Sequence, residues 1–274
     1  MIVRDPHRFV NELDESAIDR LIARLESRAK DAAFTGLLDK YAAQLDLPAS
    51  AQVLEVGCGT GATARFLARR KDFAGRVLGV DHSPRFIEAA NKIAREEGVS
   101  GRVEFRVCDA HRLDFPAATF DAVIAHTLIS HVSEPTAVLS EMARVVRPGG
   151  TVVVFDGDYA SMTYAFPDHE FGHQMDTALV TVAFNNPRVM RELPRLMPAL
   201  DLTLKAAWGD AMVEIGDGSF FKSFAETYAP YVTKAGFFAA GVVEHWLAVQ
   251  RQSMEDGTFF AACNYYTYLA GRAQ

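Results

Sequence analysis

The residues best suited to chemistry close three short apolar runs. Glu55 closes QVLEV, Asp81 closes RVLGVD and Asp109 closes RVEFRVCD, at spacings of 26 and 28 residues. Each spacing is about one strand-plus-helix unit. Between the first run and the next helical pattern stand Gly57, Gly59 and Gly61, alternating with Cys58 and Thr60. Glycines let the backbone turn tightly and approach a ligand that a β-carbon would push away. A strand, a glycine turn and a helix in succession make a nucleotide-binding arrangement.

The turn alone leaves the nucleotide open. Gly57, Gly59 and Ala62 satisfy the dinucleotide fingerprint of dehydrogenases, and Asp81 stands where an NAD ribose would need an acid. The three acids together favour another ligand. Neighbouring strands of an open parallel sheet line one crevice with their carboxyl ends, so a single molecule reaches all three. Asp81 accepts two ribose hydroxyls, Asp109 accepts from an adenine amino group, and Glu55 with the turn lies beside the remaining part. Two acids there suit the cation of S-adenosylmethionine better than a pyrophosphate.

The elements that must hold these residues follow from pattern. Helical spacing predicts helices over 14–30 and 31–45, ended at Leu47-Pro48. Strands are expected at 52–56, 76–81, 102–109, 120–126 and 151–156. Helices are expected at 60–70, at 84–97 behind the Ser83-Pro84 cap, and at 135–146 before Pro148-Gly149-Gly150. Such alternation means a parallel sheet covered by helices on both faces. Beyond Asp156 the alternation stops. Residues 157–200 read as helical with proline interruptions, 202–216 as a strand or hairpin, 219–255 as two helices around Gly236, and 258–272 as a terminal strand.

LEVGCGTG, GVDHS, CDA before LDFP, FDAVIAHTLISHV and RVVRPGG resemble, in order and spacing, the motifs of class I S-adenosylmethionine-dependent methyltransferases. The closest likeness is to the small-molecule branch that includes the ubiquinone and menaquinone biosynthesis enzymes. It covers about residues 50–158. The resemblance implies a Rossmann-like, mostly parallel seven-stranded α/β sheet with an antiparallel last strand and a helical lid. The division it implies is 1–48 as N-terminal helices of the lid, 49–158 as the cofactor core, 159–256 as a helical substrate lid with an intervening strand, and 257–274 as the terminal strand. Carried over residue by residue, Glu55, Gly57, Cys58, Gly59 and Gly61 form the turn under the methionine part. Asp81 binds the ribose, His82 packs beside the adenine, Asp109 and the Ala110 backbone read the adenine edge, and Ala125 approaches the methionine end. S-adenosylhomocysteine would be the product.

Methyl transfer is an in-line displacement in which the protein supplies alignment and a dry site, and a protonated nucleophile also needs a base. His126 and His131, after the fourth strand, are the candidate bases; the plainer reading of each is a ring bonded to nearby backbone. Asp158 and Tyr159, in FDGDYA, are candidates to line the substrate site, with Asp156 as a turn cap. A metal-dependent catechol-type enzyme would carry an aspartate where His126 stands, so no catalytic magnesium is expected. His169, Glu170 and His173 spell H-E-x-x-H, a zinc-protease pattern that here falls in the expected lid without a third ligand. No N-P-P-Y-type box follows the fourth strand, which argues against adenine-amine and protein-glutamine acceptors.

Bulk properties agree. The chain has 274 residues, 49% of them hydrophobic, and a net charge of −7. An acidic balance speaks against nucleic acid as the main partner. Cys58, Cys108 and Cys263 are scattered and odd in number, which fits a reducing compartment and no disulfide framework. The start shows no apolar run of a signal peptide, and no stretch is long enough to span a membrane, so a cytoplasmic protein is expected. Of 29 aromatic residues, 20 follow residue 154. They predict a second core, an aromatic-lined pocket, or both, and hence a small, bulky or aromatic substrate. The sequence leaves the oligomeric state open, a homodimer being one option.

Overall fold

The computed structural model describes residues 5–273. Residues 1–4 and 274, at the outer edges of the expected lid and terminal strand, lie outside the described residues. Two capped helices come first. Asp14 accepts from the Ala17 N–H at the start of α1 (Glu15–Lys30), and Asp31 accepts from the Phe34 N–H at the start of α2 (Ala32–Ala42). The alternating unit follows as β1 (Gln52–Val56), α3 (Ala62–Arg69), β2 (Arg76–Asp81), α4 (Pro84–Glu96), β3 (Val103–Val107), β4 (Phe120–His126), α5 (Pro135–Val145) and β5 (Val146–Tyr164). The remainder comprises α6 (His169–Ala183), the single turn α7 (Leu193–Leu196), β6 (Leu202–Gly216), α8 (Phe220–Lys234), α9 (Ala240–Glu255) and β7 (Phe259–Arg272).

The seven strands form one sheet in the order β3-β2-β1-β4-β5-β7-β6. β1 to β5 run parallel, and β7 pairs antiparallel with both β5 and β6. The expected antiparallel last strand is therefore present, and it slots between β5 and β6 rather than at the edge. The chain leaves β1 toward β2 and β3, then returns to β4 on the other side of β1. The crevice above the carboxyl ends of β1 and β4 is the switch point where such sheets bind ligands.

Two local expectations need correction. Residues 157–164 are strand, not helix, because β7 is long enough to keep pairing with them, Thr163 opposite Ala262 and Tyr164 opposite Ala261. Beyond them, α6 does form. β3 stops at Val107, so Asp109 stands in the following loop rather than on the strand. Of the two readings of 202–216, a strand or a hairpin, the structure has the single continuous strand.

One core cluster joins the sheet to α2, α6, α8 and α9. It holds Phe34 and Tyr41 of α2, Phe155 and Tyr159 of β5, Phe184, Phe220, Phe221 and Phe224 by α8, and Trp246 of α9. The late aromatics therefore form a true core. The second cluster lies on the opposite face, with Val123, Ile129, Leu139 and Met142. A third, small one, Val10, Ile18, Leu21 and Phe86, seats α1 on α4. Among the described residues no helix is long and apolar enough to cross a membrane.

Candidate active site

A cavity of about 520 Å³ lies over the switch point, between the glycine turn and the helices α1, α2 and α8. Its floor is built by β1. Glu55 is buried, and its Oε2 accepts from the Ala64 N–H at 2.9 Å. Burial raises its pKa to about 7, against the opposing bonds from Thr63 and Ala64. Beyond it the chain turns through Gly57, Gly59 and Gly61 with φ of +68°, +53° and +77°, the left-handed region that side chains rarely enter. A β-carbon on Gly57 would stand 2.4 Å from Leu128, and one on Gly61 2.3 Å from Phe105.

β2 brings Asp81 to the same place. Its Oδ2 accepts from the Gly59 N–H and its Oδ1 from the Ser83 N–H, each at 2.9 Å. These bonds clamp the carboxylate to the turn and leave each oxygen a lone pair. Burial raises the Asp81 pKa, while His82, 3.5 Å from Oδ1, and the backbone donors work against that rise. Asp109 accepts from the His111 N–H at 2.9 Å and pairs with His111 Nδ1 at 2.7 Å. Burial pushes its pKa up, but these bonds outweigh it and hold the group below its ordinary value. His111 Nε2 lies 3.1 Å from the Ser133 hydroxyl, so this ring ties the loop after β3 to the loop after β4.

The two candidate bases sit in different surroundings. His126 is buried, stacked on Phe155 with ring centres 4.6 Å apart, and its Nδ1 lies 2.9 Å from the Tyr41 hydroxyl. Burial, aided by the charge of Arg28, drives its pKa well below 6.5. His131 Nδ1 lies 3.0 Å from both oxygens of Asp5. Burial alone would lower its pKa, yet the charge and hydrogen bond of Asp5 leave it raised. Asp5 is itself pinned, with φ +47° and a carboxylate that also accepts from the His7, Arg8 and Asn185 N–H groups. Next to this pair, His7 Nε2 lies 2.8 Å from the Tyr228 hydroxyl, and the His7 and His131 rings are 4.8 Å apart.

The side of the cavity formed by α1, α2 and α8 is aromatic and cationic. Phe34, Tyr159, Phe184, Phe220, Phe224, Tyr228 and Tyr265 line it, with Arg24 and Arg28 of α1. The Arg24 guanidinium lies 4.9 Å, 5.2 Å and 5.9 Å from the ring centres of Phe220, Phe224 and Tyr228. Contacts of this kind contribute about 0.5–2 kcal/mol each.

Of the residues expected at the site, Glu55, Gly57, Cys58, Gly59, Asp81, His82, Asp109, Ala110, His126, His131 and Tyr159 all line this cavity. Three do not. Gly61 caps α3 behind the turn, and Ala125 is fully buried within β4. Asp158, expected to meet substrate, is buried and bound by the Arg191 guanidinium at 2.7–3.0 Å. His169, Glu170 and His173 lie exposed on α6, outside this cavity. Among the described residues no group of three or more His, Cys, Asp or Glu side chains is gathered as for a metal ion. Asp5, His7, Arg24, Arg28, Tyr41, His111 and Tyr228 join the site without having been expected. Only the CDAH run, with a histidine two residues past Asp109, carried a local signal for any of them.

The geometry favours one of the two nucleotides. A dinucleotide pyrophosphate needs free N–H groups at the start of the helix after β1. Here Glu55 takes the Ala64 N–H and sets a carboxyl group there instead. The acceptors Glu55, Asp81 and Asp109 fit a ligand with a cation, a ribose diol and an adenine amino edge. Residues 53–150 match the family described as methyltransferase domain.

These residues are a class I S-adenosylmethionine-dependent methyltransferase domain. The match spans the glycine turn, Glu55, Asp81, Asp109, His126 and His131. Over a longer stretch, the chain is 25% identical across 284 aligned residues, 98% of its length and 77% of the other's, to an uncharacterized 37.1 kDa protein in transposon TN4556 of Streptomyces fradiae. It is 37% identical over 131 residues to the 27-O-demethylrifamycin SV methyltransferase of Amycolatopsis mediterranei (strain S699). That alignment covers 48% of this chain and 47% of the relative, so the chain spans about half of that enzyme's length. The fold is shared with geranyl diphosphate C-methyltransferase of Streptomyces coelicolor A3(2), at 20% identity, TM-score 0.55, and coverage of 87% and 80%.

Proposed function

We propose that the chain transfers the methyl group of S-adenosylmethionine to an oxygen, nitrogen or carbon of a small acceptor that is bulky or aromatic. The observation that carries this reading is the division of the cavity. Acids and glycines at the carboxyl ends of β1 and β2 form one side, and an aromatic wall with the His131–Asp5 pair forms the other. When bound, the cofactor supplies an electrophilic methyl group. Asp81 would hold its ribose, Asp109 and Ala110 its adenine edge, and Glu55 with Gly57, Cys58 and Gly59 its methionine part.

His131 is the better-suited base. Asp5 on Nδ1 keeps the proton there, which leaves Nε2 of the neutral ring as the acceptor. A raised pKa makes that nitrogen more basic near neutral pH. His126 is depressed too far to hold a proton well and serves as a neutral partner of Tyr41. The aromatic lining supports a flat or bulky acceptor, in keeping with a relative named for a rifamycin substrate. With a histidine to take the proton, the reading involves no metal ion. A net charge of −7 supports a small molecule over nucleic acid, and three scattered cysteines support the cytoplasm.

A thermal-shift comparison tests the cofactor half. S-adenosylmethionine and S-adenosylhomocysteine at about a hundred times their dissociation constants should stabilise the chain by about 2.7 kcal/mol, with no shift for NAD. A shift with NAD alone would overturn the reading. Turnover to S-adenosylhomocysteine in an acceptor screen tests the other half.

A further inference from the structure

Among the described residues the cations of α1 form no ion pair; Arg20 and Lys30 are exposed, whereas Arg24 is buried and Arg28 half-buried. Arg24 is 7% exposed and lines the cavity. Its Nη1 donates to the Phe220 carbonyl at 3.4 Å and the Ser223 hydroxyl at 3.0 Å, both uncharged. Arg28, one turn on, lines the same cavity with its guanidinium 4.9 Å from the Phe34 ring centre. Neither forms an ion pair among the described residues. Arg65 of α3, which also lines the cavity and is also buried, shows what a structural arginine looks like here: Glu26 and Glu97 neutralise it.

A buried cation without a counter-charge is costly, and burial accordingly lowers the Arg24 pKa. The rings of Phe220, Phe224 and Tyr228 and two neutral oxygens return part of that cost and leave the charge standing. A planar guanidinium in such a place matches a carboxylate or phosphate, whose two oxygens it can meet at once. Of the acids that line the cavity, Glu26 and Glu97 are paired with Arg65; Glu55 and Asp81 lie at the ends of β1 and β2 and Asp109 in the loop after β3, whereas Arg24 lies among the side chains of α8. The cavity is thus polarised, acidic toward the cofactor half and cationic toward α1 and α8.

On the methyl-transfer reading above, we propose that Arg24 and Arg28 recognise an anionic group on the acceptor, a carboxylate or a phosphate. The substrate is then an aromatic or polycyclic acid, held by its anion at α1 and by its rings against α8. The cofactor's own carboxylate is the other anion that could come within reach. The position of Arg24 against α8 assigns it to the acceptor.

Calorimetry on the full chain saturated with S-adenosylhomocysteine, using 2-naphthoate and its neutral counterpart 2-naphthamide, tests this. The wild type should bind naphthoate about tenfold or more tighter than naphthamide. In Arg24→Met and Arg28→Met the preference should fall below about twofold, with S-adenosylhomocysteine affinity within about threefold of wild type. Arg24→Lys, which keeps the charge, guards against a folding defect in Arg24→Met and should retain part of the preference. Equal affinity for the two probes, or binding of neither, would overturn the proposal. So would arginine variants that lose S-adenosylhomocysteine and keep the probe preference, since the guanidiniums would then hold the cofactor. A wild type that binds no S-adenosylhomocysteine would bring down the methyl-transfer reading, while the same probe pair on the free chain judges the arginines separately.

Discussion

His131 holds Asp5 across 126 positions of chain, its Nδ1 3.0 Å from both carboxylate oxygens. The contact pins the N-terminal segment onto the loop after β4 and sets the charge of the ring. A histidine whose folded pKa is raised stabilises the fold fully below its unfolded value, and that contribution is lost as pH rises through the folded value. Asp5→Asn should therefore destabilise the chain most below pH 6.5, the ring's ordinary value, and least in mildly alkaline buffer. Urea midpoints across pH measure it. A deficit that stays constant with pH would show that Asp5 acts through its backbone bonds alone.

His131→Gln separates base from scaffold. With an acceptor that is turned over and whose nucleophile carries a proton, kcat should fall by about 10²–10⁴. S-adenosylhomocysteine affinity should be nearly unchanged. Turnover within a few-fold of wild type would remove His131 from the chemistry.

Glu55 is a buried acid with a pKa raised to about 7. The folded chain then binds more protons than the unfolded one between the ordinary value of 4.5 and about 7, so stability falls as pH rises across that window. Glu55→Gln should be more stable than wild type at mildly alkaline pH, by on the order of 1–3 kcal/mol after the weaker bond to Ala64 is counted. At acid pH it should show no such gain. Thermal melts of the ligand-free chain decide it, and a variant that loses stability equally at both pH values would contradict the assignment.

Asp81→Asn should raise the dissociation constant for S-adenosylhomocysteine by about 10–100-fold, the worth of a charged hydrogen-bond acceptor. One oxygen of the amide can still accept from Gly59 or Ser83, so the turn should survive. Calorimetry beside a far-ultraviolet spectrum tells ligand loss from fold loss. Unchanged affinity would place the ribose elsewhere.

Asp158 and Arg191 test a contact the sequence did not announce. Arg191→Met leaves a buried carboxylate without its guanidinium and should cost about 1–3 kcal/mol in stability. Acceptor KM should not move, because Asp158 does not line the cavity. A large KM effect with normal stability would restore Asp158 to the substrate site.

What the sequence by itself determined is the half of the site in which neighbours in chain are neighbours in space. The glycine turn, Glu55 and Asp81 follow from a strand, a turn and the next strand one unit later. A parallel sheet sets such residues side by side whatever surrounds them. Glu55 is the sharpest case: its place before the helix start, read from QVLEVGCG, became the bond to the Ala64 N–H that sets a carboxyl group beside the turn. Asp109 was right in position and wrong in element, because β3 ends two residues earlier. The tertiary structure alone decided the other half. Asp5 meets His131, Tyr41 meets His126, Arg24 meets Ser223, and Arg191 takes Asp158 out of the site. Each joins segments separated by 33 to 199 residues, and no local pattern encodes such pairs. The run of strand from 157 to 164 was hidden for the same reason. Its partners lie on β7, about a hundred residues on, and backbone pairing across that distance overrode a local sequence that read as helix.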